Sequence, residues 1–167
     1  MRLVSHIVAL TFVWLGVSIT TLAQQQRIFD PMVRTLTVVV DEDPPLPPII
    51  GQGRHQHLRI GWDEMSHSPQ RYIYHIRHCN ADWTPTEGIF QSDYLGGLND
   101  QLVEDYETSF NTTQLYTHYS LTLPNKQTTT LLSGNYSVRI FHEDDDVERD
   151  DPVLEAQFCV FETTVSA

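Results

Sequence analysis

The sequence predicts an all-β domain: an antiparallel β-sandwich of about seven strands, immunoglobulin-like or fibronectin-like in plan, with minimal helix. Three observations predict it. Short runs alternate apolar and polar side chains, the period of a strand with one buried face. Clusters of Gly, Pro, Asn and Asp punctuate those runs. Gly134-x-Tyr136 opens a late strand in the manner of the penultimate strand of such sandwiches. At 167 residues with 40% apolar and 10% aromatic side chains, the chain can bury one core and is not disordered as a whole.

The elements follow in order. Residues 33–40 are β-branched and alternate at their start, a strand. Residues 41–48 hold four prolines and read as an extended connector barred from a sheet interior. In 57–63, Leu58, Ile60 and Trp62 share one face, with Arg59 and Gly61 on the other. A polar turn at 66–70 leads to a strand at 71–79, with Tyr72, Tyr74 and Ile76 inward and Cys79 on the opposite face. Thr84-Pro85-Thr86-Glu87 has capping-box spacing, which predicts one or two helical turns; Gly88 and Gly96-Gly97 limit them. Strands are predicted at 103–111 and 114–123, the second with Leu115, Thr117, Tyr119, Leu121 and Leu123 on one side. Tyr116, His118, Ser120 and Thr122 lie on the other side. Pro124-Asn125 begins a turn. In 135–142, Tyr136, Val138 and Ile140 are in phase, and 143–151 is a charged tip. The strand returns over 153–162, with Leu154, Ala156, Phe158 and Val160 inward and Cys159 off that face.

The organisation expected is a signal peptide (1–23), a flexible segment (24–32), the sandwich (33–163) and a short tail (164–167). Arg2, the mostly apolar 7–17 and Thr21-Leu22-Ala23 give the order of a secretory leader cleaved after Ala23. An uncleaved anchor is the alternative, and a core this short followed by Gln24-Gln25-Gln26 argues against it. After cleavage no stretch approaches the roughly 20 apolar residues of a membrane span. Export would place Cys79 and Cys159 in an oxidising compartment. A bond between them requires neighbouring strands in one sheet, a question the sequence leaves open.

Charge excludes two classes of partner. Ten Lys and Arg stand against 22 Asp and Glu, a formal net charge of −12, and Lys126 is the sole lysine. Such a surface repels phosphate backbones and anionic lipid headgroups, so neither nucleic acid nor a membrane surface is expected as partner. No catalytic, cofactor or metal site is expected. The chain has no Gly-x-Ser-x-Gly elbow, His-Glu-x-x-His or phosphate loop. On a strand His55 and His57 share a face and His75 and His78 do not, and no third ligand is suitably spaced. The acidic run 143–151 lacks the glycine and ligand spacing of a calcium loop and reads as a solvated hairpin tip. Asn111-Thr-Thr and Asn135-Tyr-Ser are formal glycosylation sequons.

The middle of the chain is the distinctive part. Tyr72-Ile-Tyr-His-Ile-Arg-His78-Cys79-Asn80-Ala81-Asp82-Trp83 is followed by Ser92-Asp-Tyr94-Leu-Gly96-Gly97, then by Asp105-Tyr-Glu-Thr-Ser109-Phe-Asn111-Thr112. Tyr116-Thr-His-Tyr119-Ser-Leu-Thr-Leu-Pro124-Asn125 and Ser133-Gly134-Asn-Tyr136 come after. This order resembles the N-terminal domain of the type IX secretion system plug protein family, over roughly 33–162. The resemblance implies a non-enzymatic, periplasmic, β-rich protein without cofactor, associated with the outer membrane. The partner it implies is a protein, the outer-membrane translocon barrel of type IX secretion, whose periplasmic opening the plug helps close. Members are usually longer, with further domains after this one. Read from chemistry alone, Asn80, Asp82, Ser109 and Asn111 are turn builders, and Trp83 folds over the end of the sandwich. Trp83 is expected to be mostly buried, as part of the fold. The second reading is a secreted glycan-binding module, with Trp83, Tyr94 and Tyr116 as an exposed aromatic platform.

Overall fold

Alternating runs need a partner sheet to bury their apolar face, and here they find one. The computed structural model describes residues 26–41, 47–53, 55–66 and 68–162; the expected leader, most of the proline connector and the tail lie outside them. The strands are β1 (Arg27–Ile28), β2 (Val33–Val40), β3 (Ile49–Gly51), β4 (Leu58–Glu64), β5 (Tyr72–Cys79) and β6 (Leu95–Gly97). They continue with β7 (Gln101–Leu102), β8 (Asp105–Thr108), β9 (Thr117–Leu123), β10 (Thr128–Thr130), β11 (Gly134–His142) and β12 (Leu154–Phe161). One short helix, α1 (Gln91–Tyr94), and a single 3-10 turn at Val147–Arg149 complete the described elements.

Two sheets pack face to face. One runs β2-β4-β9-β8, the other β1-β12-β11-β5-β7, with β3 parallel to β12; β6 and β10 form a separate two-stranded ribbon. The chain visits the sheets in pairs: β2 and β4, then β5 and β7 in the other sheet, back for β8 and β9, then across again for β11 and β12. The inward residues expected of the long strands fill one core: Leu58, Ile60 and Trp62 from β4, Tyr72, Tyr74 and Ile76 from β5, and Tyr119, Leu121 and Leu123 from β9. Tyr136, Val138 and Ile140 of β11 face Leu154, Ala156, Phe158 and Val160 of β12. At its centre Trp62 stacks on Tyr119 (centroids 5.4 Å apart), and Tyr72 stands edge-on to both. Such pairs add about 0.5–1.5 kcal/mol each beyond their burial.

Several expectations are corrected. The described strands number twelve, because β1, β3, β6, β7 and β10 are ladder fragments of two or three residues, too short to alternate. Within the segment 24–32, Arg27–Ile28 form β1, which pairs with β12, and the Gln26 side chain both donates to Gln157 O and accepts from Gln157 N. No helix starts at Thr84; the helix is α1. The strand expected at 103–111 shortens to β8, while β7, just before it, belongs to the other sheet, with Val103 buried at the crossing. Leu115, expected inward, is exposed. Cys79 and Cys159 are free, because β11 lies between their strands and Asn135 stands in register with both. Two interstrand spacings make about 9.5 Å, beyond disulfide reach.

Candidate functional site

The motif residues divide between the two ends of the sandwich. Ten gather at or near the end where β5 and β12 finish and β11 begins. There Asn80 N donates to Thr84 O and Trp83 N to Asn80 O, closing a tight turn. Asp82 accepts from both the backbone N–H and the hydroxyl of Thr84, and these bonds hold its carboxyl below the usual range. Asn80 Nδ2 donates to the Thr84 hydroxyl, and the Thr86 hydroxyl donates back to Asn80 Oδ1. Thr84, which looked like a helix cap, therefore satisfies this turn instead, and Pro85 forms an isolated bridge with Cys79. Trp83 sits in the left-handed region at φ 67°, rare for a bulky side chain. It is half-buried and outside the core cluster, so it neither fills the core nor stands free.

His78 organises the floor below the turn. Its Nδ1 is 2.9 Å from the Thr86 hydroxyl and its Nε2 3.3 Å from Ser133 O, and its ring meets Tyr136 edge-on. Gly134, at φ 143°, lies directly under that ring. The Tyr136 hydroxyl donates to Leu132 O (2.6 Å) and Tyr94 O, and burial pushes its pKa up to about 12. Tyr94 is buried, with its hydroxyl donating to Ile76 O. Gly96 pairs with Thr129, where a Cβ would press on the threonine methyl. Cys79 is buried although it points away from the core, and burial raises both thiols. Pro124 ends β9 beyond a cis peptide bond.

The other four lie toward the opposite end. Ser109 Oγ accepts from Tyr116 N, and Ser109 N donates to Tyr116 O, closing the β8–β9 hairpin; Asn111 takes the left-handed conformation in its loop. Tyr116 is half-buried. Tyr119 donates to Glu64 and accepts from Gln70 N. Trp83, Tyr94 and Tyr116 thus form no exposed platform: Tyr94 is interior, and Trp83 and Tyr116 belong to opposite ends.

Among the described residues an open groove of about 720 Å3 lies beside β9, and of the fourteen motif residues only Pro124 lines it. The motif therefore builds turns and end walls, not a pocket.

Family comparison turns that arrangement into an identity. The family model for the Type 9 secretion system plug protein 1st domain matches residues 33–162. The chain belongs to this family. No functionally curated protein matches it. A crystal structure of a hypothetical protein from Parabacteroides merdae ATCC 43184, at 2.30 Å resolution, is similar, with a TM-score of 0.76 and 30% identity. The alignment covers 82% of this chain and 34% of that one, so this chain spans about a third of the length of its structural relative.

Sequence reasoning missed two polar anchors of this plug domain. Asn99 is buried and treats Ile76 as a strand neighbour would, accepting from its N–H and donating to its C=O. Its signal was only a loop Asn-Asp pair. Glu64 is buried beside Tyr119 and Tyr72; desolvation raises its pKa against both hydrogen bonds. Its signal was parity, since it continues the inward phase of Leu58, Ile60 and Trp62.

Proposed function

We propose that this plug-family domain is a non-catalytic, protein-binding component of type 9 secretion. In this reading it works in the periplasm against the outer-membrane translocon. The observation that carries the proposal is the family match across nearly all described residues, on a fold whose motif side chains are spent on turns and packing. A domain built that way offers its outer surface to a partner, not a reaction centre to a substrate. The strongly acidic chain favours a basic rim on that partner, so association is expected to slow as salt rises.

The test is a pull-down of the tagged full chain from cells that carry the secretion system. Recovery of the translocon is the expected result. Recovery of polysaccharide alone, competed by free sugar, overturns the proposal.

A further inference from the structure

We propose that the end of the sandwich from which β12 departs is a docking face for the domain that follows this one in longer plug-family chains. The inference rests on the plug-family reading. The family match ends at residue 162, one residue past β12, so a following domain begins at this end. The structural relative supplies the length for one, since two-thirds of its chain lies outside the matched part.

The surface around that exit is apolar. Ile49, Leu131, Leu132 and Phe161 are each exposed, between 40% and 45%. They belong to one neighbourhood. Gln52 N donates to Phe161 O while its side chain donates to Leu131 O, and Ile49 stands in register with Cys159. Leu132 O accepts from the buried Tyr136 hydroxyl, which fixes the segment from below. The Asn80–Thr84 turn lies at the same end of the sheet, tied to β11 by Asn135 Nδ2 donating to Asn80 O. The most distinctive sequence in the chain, including the strained Trp83, thus shapes this end and not a pocket.

The size of the patch selects the occupant. Four side chains exposed to this degree offer on the order of 300 Å2, within the range of a single surface patch. A free-standing interface needs about 800 Å2 per partner, which argues against a second copy. A domain joined covalently at residue 162 needs far less, because the chain itself supplies the effective concentration. Asp82, Glu87 and Glu162 are exposed at this end and call for a neutral or basic rim on that domain.

The probe is the intact Parabacteroides merdae protein, in which the matched third is joined to the rest of its chain, and the readout is the rate of proteolytic cleavage between the two parts. Serine at both positions equivalent to Leu131 and Phe161 should raise that rate tenfold or more, while serine at the position equivalent to Phe110, in the exposed β8–β9 loop at the opposite end, should not. Unchanged thermal midpoints will show that the variants still fold. A cleavage rate indifferent to the double substitution overturns the proposal. So does a homodimer of the present chain, seen by sedimentation, that Leu131→Ser with Phe161→Ser dissolves. The crystal structure gives a second readout: the positions equivalent to Leu131, Leu132 and Phe161 should be covered by the rest of that chain, and finding them open to solvent overturns the proposal. Translocon recovery alongside a cleavage rate that the double substitution leaves unchanged rejects the docking face and leaves the proposed function standing.

Discussion

Gly134→Ala should be among the most damaging single-methyl additions in this domain. Gly134 holds φ at 143°, where an L-residue costs about 1–3 kcal/mol. The added Cβ would overlap His78 Nε2 and lie 3.1 Å from Cε1. The ring is not a free end that can swing aside, because the Thr86 hydroxyl holds one side and Tyr136 meets it edge-on. Displacing it sacrifices the contacts with Ser133 O and Thr86, each worth about 0.5–1.5 kcal/mol net. The expected total is about 3 kcal/mol, a drop in Tm of roughly 10 °C for a domain of this size. Urea denaturation followed by circular dichroism measures it, and a cycle with His78→Ala divides it. With the ring removed, Gly134→Ala should retain only its conformational cost. Equal costs in the two backgrounds would show that the ring is not what Gly134 accommodates, and a wild-type midpoint would refute the reasoning entirely.

Trp62→Ala, in the centre of the aromatic cluster, should cost about 3–5 kcal/mol. Trp83→Ala should cost clearly less, since Trp83 is half-buried at an end; chemical denaturation of both variants ranks them, and the reverse order counts against the packing described. Burial raises the folded pKa of Glu64 above the ordinary glutamate value, so the native state holds its proton more tightly than the unfolded chain does. Stability on its account falls as pH rises from about 4.5 through the folded value, and Glu64→Gln should remove that slope while leaving neutral-pH stability equal or higher. Denaturation midpoints from about pH 4.5 to 8 check it, and an unchanged slope rejects the assignment. Alkylation after non-reducing unfolding should label both Cys79 and Cys159; a crosslinked peptide pair joining them would contradict the strand order.

The long strands were legible because each has one dry face. Leu58, Ile60 and Trp62, or Leu154, Ala156 and Phe158, announce a sheet by parity alone. What escaped was whatever depends on a distant partner. β1 and β3 are strands only because β12 offers them an edge. Thr84-Pro85-Thr86-Glu87 has the local chemistry of a helix start, yet Asn80 and Asp82 compete for the same hydroxyls and prevail. The cysteines follow the same logic: parity put both off the core face correctly, but only the strand order interposes β11. At the candidate site, the turn-building role of Asn80, Asp82 and Ser109 was readable from residue type. The partial burial of Trp83 was not, because it is set by a left-handed backbone that no pattern of hydrophobicity encodes.

The double occupation of one edge of β12 has a mechanical consequence. β1 clasps the first residues of this strand and β3 its last, while β11 runs along the whole opposite side. β1 is antiparallel to β12, so going back from Ile28 to Gln26 the chain climbs from Leu154 to the level of Gln157, toward the same end at which β12 finishes. A pull applied at Gln26 and at Phe161 therefore peels β1 from β12 one hydrogen bond after another. The long β11–β12 ladder and the β3 pairing lie beyond that seam, so they stay loaded together until β1 has gone.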